Sequence, residues 1–165
     1  METVLRLLLP SNRLAMRLCM ETGLRVGDVL AIRRDKLAQR MTVYESKTGK
    51  TRRVYIGRAL LADLNAMERN GPWLFPGRDP EKHRTRQAVF CDLRRAAKAC
   101  RLPMHLTPHS ARKLYAVEQF RRCGDLERVQ RLLNHSDSAV TLLYVMADQL
   151  ARQKDRYKKT SATKR

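Results

Sequence analysis

Apolar residues recur along this chain at helical spacing, with one interruption. Leu14, Ala15 and Leu18 fall on one face of residues 11–22, and Ser11, after Pro10, is the expected cap. The pattern predicts a stop at Gly23 and a second short helix from about Asp28. Thr42–Tyr44 and Arg53–Ile56 then read as strands. Between them Lys47-Thr48-Gly49-Lys50 forms a turn whose Gly accepts a positive φ, so the pair is an antiparallel hairpin with a basic tip.

Helical periodicity returns at Leu60, Leu61, Leu64 and Met67 and ends at Asn70-Gly71-Pro72. A Gly/Pro-rich loop bearing Trp73 and Phe75 leads to a helix with Val89, Phe90, Leu93 and Ala97. After Pro103, Thr107-Pro108 opens the next helix, with Thr107 as cap; it buries Ala116, Val117 and Phe120 and stops at Gly124. Asp125 caps a helix that turns Leu126, Val129 and Leu133 inward, and a last helix carries Val140, Leu143 and Tyr144. From Asp148 the chain is polar and basic. The expected fold class is mainly α with a small antiparallel β-sheet (α+β), followed by a loose tail over 148–165.

Composition narrows the partner. With 43% hydrophobic and 31% charged residues, the 165-residue chain is globular and long enough for one core. Thirty-five Lys and Arg against 16 Asp and Glu give a net charge of +19, which calls for a polyanion. The basic residues lie along every segment rather than on one amphipathic helix, which favours nucleic acid over a membrane surface. No apolar run approaches the roughly 20 residues of a membrane span, and no cleavage site follows METVLRLLLP. Cys19, Cys91, Cys100 and Cys123 have no zinc-type spacing and read as buried thiols in a reducing cytoplasm.

Four clusters hold candidate chemistry. Arg25 follows Thr22-Gly23-Leu24, with Asp28 expected to orient its guanidinium. Ser46-Lys47-Thr48-Gly49-Lys50-Thr51 contains Gly-Lys-Thr, but Tyr44 stands where a P-loop needs Gly and a strand follows instead of a helix. His109 and Arg112 share a face at a helix start, where backbone N–H groups favour an anion. His105 lies four residues before His109, yet Pro108 intervenes and no acidic ligand accompanies them, so no metal is expected. His135 ends one helix and Tyr144 lies nine residues on.

In this order, TGLRVGDVL, SKTGK, HSAR and LLNHSDSAVTLLY resemble the motifs of tyrosine recombinases of the phage-integrase type, from about Leu14 to Tyr144. The resemblance implies the catalytic-domain fold of that family over 1–147, and DNA cleavage and rejoining through a 3′-phosphotyrosine with no metal and no cofactor. It implies Tyr144 as nucleophile, His109 as proton-transfer group, and Arg25 and Arg112 on the non-bridging phosphate oxygens. Lys47 would protonate the leaving 5′ oxygen, His135 would donate to the phosphate, and Asp28 would support Arg25. Double-stranded DNA is the implied partner, with a monomer in solution assembling into a synaptic tetramer on DNA, in a bacterial cytoplasm and at the nucleoid when bound.

Two features depart from the family. Asn134 stands where relatives carry Gly, and the helical core-binding domain that usually precedes the catalytic one is expected to be absent. A type IB topoisomerase or telomere resolvase, and a non-catalytic DNA-binding regulator or prophage remnant, are the alternatives.

Overall fold

Proline sets the first boundary that matters for the site. The computed structural model describes residues 2–68, 70–101 and 106–133. The apolar N-terminal patch forms a short helix, α1 (Glu2–Arg6), that buries Val4 and Leu5. Helix α2 (Pro10–Thr22) starts one residue earlier than its expected cap: Pro10 is the first helical residue, Leu9 is the N-cap, and Ser11 lies inside. The fixed φ of proline suits a first turn, and its missing N–H removes one of the donors a cap would satisfy. The Leu9 N–H donates to Asp92 Oδ2 at 2.8 Å instead.

Gly23, at φ +68°, ends α2 with its N–H on the Cys19 carbonyl. Helix α3 (Val26–Leu30) follows after two residues, then a 3-10 turn at Arg34–Lys36. The hairpin is longer than the pattern predicts. β1 (Arg40–Glu45) pairs antiparallel with β2 (Lys50–Tyr55), in register from Arg40 opposite Tyr55 to Glu45 opposite Lys50. Ile56 lies just beyond the strand and donates its N–H to the Gln39 carbonyl at 2.8 Å. Gly49 has φ +65°, as its place in the turn requires.

Helix α4 (Arg58–Asn65) stops before Met67, short of the predicted end. The loop beyond it is pinned by its aromatic residues: Phe75 is buried, and Trp73 Nε1 donates to the Glu81 carbonyl at 2.9 Å. Helix α5 (Arg86–Ala99) is capped by Thr85, whose hydroxyl accepts the Ala88 N–H. On α5 Asp92 accepts from the Leu9 N–H and from Asn12 Nδ2, both at 2.8 Å, tying this helix to the start of α2.

Helix α6 (Pro108–Cys123) ends at Gly124, at φ +66°, and α7 (Leu126–Leu133) is capped by Asp125, whose Oδ1 accepts the Arg128 N–H at 3.0 Å. At the start of α6 the Ser110 hydroxyl accepts the Thr107 N–H at 3.2 Å, while the Ser110 N–H donates to the Thr107 carbonyl. Ala116, Val129 and Leu133 are buried; Val117, Phe120 and Leu126 are half-buried.

By its contacts the chain divides into Met1–Tyr115 and Ala116–Arg165. The core of the first unit runs from Val4 through Leu18, Leu30, Leu64 and Leu93 to Ala111. Among the described residues the architecture is mainly helical with one two-stranded antiparallel sheet, as the pattern predicts. No helix of the described residues is long and apolar enough to cross a membrane. The predicted last helix and the tail lie outside the described residues.

Candidate active site

The site is built on the C-terminal end of α2. Gly23 takes the left-handed conformation there, and a Cβ on it would meet the ring of Tyr115 at 2.4 Å. With no side chain in the way, α6 comes close enough for Arg112 Nη1 to donate to the Gly23 carbonyl at 2.6 Å. One residue earlier, the Thr22 carbonyl accepts from Arg52 Nη2 at 3.0 Å. Both carbonyls belong to the negative end of a helix, which attracts cations. Two residues after Gly23, Arg25 is the N-cap of α3 in extended geometry, and its side chain is mostly buried.

Three guanidinium groups therefore gather, and one carboxylate sits among them. Glu45, at the end of β1, is fully buried. Its Oε2 lies 3.6 Å from Arg25 Nη1, and its Oε1 lies 3.6 Å from Arg52 Nε and 3.8 Å from Arg112 Nη1. Thr48 Oγ1 donates to Oε2 at 3.4 Å. The Glu45 carbonyl accepts the Thr48 and Gly49 N–H groups, which closes the turn bearing Lys47.

This arrangement corrects the expectation for Asp28. Its Oδ1 accepts from the Ser46 N–H at 3.0 Å and the Ser46 hydroxyl at 2.9 Å, so Asp28 anchors the hairpin turn. The carboxylate paired with Arg25 is Glu45. Neither Glu45 nor Arg52 is expected from the sequence to take part. One signal pointed to Glu45: it follows Met41 and Val43 at the inward positions of β1, where a charge is out of place.

Arg25, Asp28, Ser46, Arg86, His109 and Arg112 line a cleft of about 480 Å³. Lys47, next to Ser46 in the turn, is exposed. Arg25 Nη1 is buried with no hydrogen-bond partner among the described residues, as is Asp28 Oδ2. Burial, with Arg25 and Arg52 beside it, pushes Arg112 down to about 10. It remains a cation at neutral pH, but an unusually acidic one. Partial burial and the charges of Arg112, Arg25, Lys47 and Lys113 lower the His109 pKa below 6.5, favouring the neutral imidazole. The cleft thus offers cationic donors to an anion and a neutral imidazole able to accept a proton.

The structure brings Arg25, Asp28, His109 and Arg112 to one cleft, with Lys47 on the adjoining turn. His135 and Tyr144 lie outside the described residues. Of the four cysteines expected to be buried, Cys19 is, and its thiol is pushed up to about 12, chiefly by desolvation. Cys91, on the outer face of α5, is instead exposed, and Cys100 and Cys123, at helix ends, are half-buried. Among the described residues no three His, Cys, Asp or Glu side chains group as a metal site requires.

Residues 7–150 match the model of the phage integrase family. The chain belongs to that family. Among its relatives is a tyrosine recombinase XerD of Rhizobium meliloti, 32% identical over 133 residues that cover 74% of this chain and 43% of the relative. A tyrosine recombinase XerC of Xanthomonas campestris is 32% identical over 144 residues, covering 83% of this chain and 44% of the relative. This phage-integrase-family chain therefore spans less than half the length of these two relatives.

Solved structures of similar fold include an XerH site-specific recombinase bound to a palindromic difH substrate, with a TM-score of 0.70 at 17% identity over 94% of this chain and 49% of that one. A lambda integrase dimer bound to a COC′ core site gives 0.65 at 23% identity, over 82% of this chain and 52% of that one. At these identities the likeness is one of fold.

Proposed function

We propose that this chain carries the catalytic domain of a tyrosine-type site-specific recombinase, over 1–147, with a basic tail at 148–165. The supporting observation is the convergence of Arg25 and Arg112 on one cleft, where Arg25 Nη1 makes no hydrogen bond among the described residues. Two guanidinium forks aimed at one cavity suit the non-bridging oxygens of a phosphodiester. Two relatives of this fold are described as bound to DNA sites.

In this reading the Tyr144 hydroxyl attacks phosphorus, forming a 3′-phosphotyrosine bond as the bond to the 5′ oxygen breaks. A phenol with an ordinary pKa near 10 needs a proton acceptor, and neutral His109 fills that role. Arg25 and Arg112 stabilise charge on the pentavalent phosphorus, where losing one such donor typically costs on the order of 10²–10³ in rate. Lys47 delivers a proton to the departing 5′ oxygen, and His135 donates to the phosphate. Attack by a 5′-hydroxyl, from the same or another strand, reverses the sequence and releases Tyr144. Exchange between two duplexes requires four such active sites, so a tetramer on double-stranded DNA is the working assembly. The working place is the cytoplasm, at the nucleoid when DNA is bound.

The test is covalent capture on nicked suicide duplexes drawn from a randomised pool, denatured in detergent before scoring. A protein–DNA adduct that disappears in Tyr144→Phe, while ordinary DNA binding persists, is the expected result. Binding without any adduct, from the chain at its full natural length, would favour a non-catalytic DNA-binding regulator.

A further inference from the structure

Glu45 occupies an apolar slot of the hairpin, wholly out of water. A buried carboxylate is strongly disfavoured unless cations and donors surround it, and removing its partners leaves a charge stranded. Here the reverse problem exists as well. Arg25, Arg52 and Arg112 crowd one another, and like charges this close and this sheltered repel. Glu45 is the shared counter-charge: each guanidinium lies 3.6–3.8 Å from one of its two oxygens. Its backbone does a second job, since its carbonyl accepts both the Thr48 and Gly49 N–H groups of the turn that carries Lys47.

We propose that Glu45 is a positioning residue for the strand-transfer reaction: its carboxylate holds Arg25 and Arg112 side by side, and its carbonyl fixes the turn of Lys47. The inference rests on the reading of Arg25, Arg112 and Lys47 as the groups that meet the phosphate. With Asp28 also nearby, two carboxylates face three guanidinium groups, so the cluster keeps a net positive charge for an incoming anion. Replacing Glu45 by an uncharged isostere frees the arginines to separate. Affinity for a phosphate then stays level or rises, because a negative charge is gone, while alignment in the transition state suffers. Misplacement of this kind lowers the rate without weakening binding.

The experiment compares wild type, Glu45→Gln, Glu45→Asp, Thr48→Ala and Tyr144→Phe, reading adduct formation at saturating nicked duplex alongside the dissociation constant for intact duplex. Guanidinium Nη–H resonances of Arg25 and Arg112, whose Nη1 atoms face Glu45, are recorded on the same proteins. Glu45→Gln is expected to slow adduct formation on the order of 10- to 100-fold with affinity equal or tighter, and Glu45→Asp, which keeps the charge, to recover much of the rate. The Arg25 and Arg112 resonances are expected to be resolved in the wild type and to broaden in Glu45→Gln. A Glu45→Gln rate equal to wild type, or Gln and Asp variants equally slow with affinity falling in parallel, overturns the proposal.

If Glu45→Gln gives no cooperative melt, Thr48→Ala decides. It removes only the Thr48 hydroxyl, which lies 3.4 Å from Oε2 and 3.5 Å from the Glu45 carbonyl, and slowing of about 3- to 10-fold supports the role while an unchanged rate overturns it. If the wild type forms no Tyr144-dependent adduct, the recombinase reading fails, and the arginine resonances alone judge the positioning role: loss on Glu45→Gln supports it, and persistence overturns it.

Discussion

At Gly23 two constraints coincide on one residue. Its φ of +68° disfavours any L side chain, and a Cβ there would meet the Tyr115 ring at 2.4 Å. The Gly23→Ala variant must either shift α6 or distort the end of α2. It should lose about 1–3 kcal/mol of stability, measurable by urea denaturation. Because the Gly23 carbonyl accepts from Arg112, covalent capture should fall more than the stability loss alone explains. His109 sets the second expectation at this scale. Burial and the neighbouring cations lower its pKa below 6.5, so the neutral form that accepts a proton predominates at and above neutrality. With His109 as the proposed proton acceptor, activity should be retained as pH rises and lost as pH falls through the lowered pKa. The rate of capture at subsaturating DNA, which reports the free protein, should reach half its plateau below pH 6.5. A midpoint above that value would mean that a different group limits the acid limb.

Among the elements, α5 and the start of α2 are joined through one carboxylate. Asp92 accepts from the Leu9 N–H, Asn12 Nδ2 and Arg95. Burial alone would raise its pKa, but the hydrogen bonds from Asn12, Arg95 and Leu9 hold it below 3.8. A carboxyl depressed on folding adds stability that is present above the unfolded pKa and lost as pH falls through the folded one. Asp92→Asn should therefore be less stable than wild type at pH 7, with the gap shrinking in acid below pH 3.8; melting both proteins across that range checks it. The α5–α2 tie also marks where sequence reading stops. Helix periods, the hairpin and the Asp125 cap are local signals, carried by residues within a turn of one another, and they are legible. The Thr22 carbonyl that Arg52 donates to and the Ser46 that Asp28 accepts from lie 30 and 18 residues away, and nothing in their neighbourhoods announces them. Asp28 sits three residues from Arg25 and reads as its partner, yet the fold gives it to Ser46 and gives Arg25 to Glu45. A charged residue ending a strand reads as solvent-facing; only the Met41–Val43 alternation before it hints otherwise.

For the molecule as a whole, the controlling quantity is its net charge of +19. The arginines of the cleft are few beside the 35 Lys and Arg of the full chain, so most of the attraction to DNA comes from outside the site. Each phosphate neutralised releases condensed counterions, and the logarithm of the binding constant falls with the logarithm of salt at a slope of about −0.9 per contact. Six or more contacts would lower affinity by roughly 10³-fold or more between 50 and 200 mM salt. Binding of duplex DNA to the Tyr144→Phe protein, followed by anisotropy across that range, should show this steep loss without interference from covalent capture. Within that background the site has its own signature. On the proposed reading Arg25→Ala and Arg112→Ala each remove one phosphate contact, so each should flatten the slope by about one unit while eliminating most of the covalent capture in the Tyr144 protein. An exposed surface arginine such as Arg53 should flatten the slope by no more than that and leave capture intact. A slope near zero would remove the case that the charge is there for DNA. A steep slope that Arg25→Ala and Arg112→Ala leave unchanged would mean that DNA binds elsewhere on the chain and never enters the cleft.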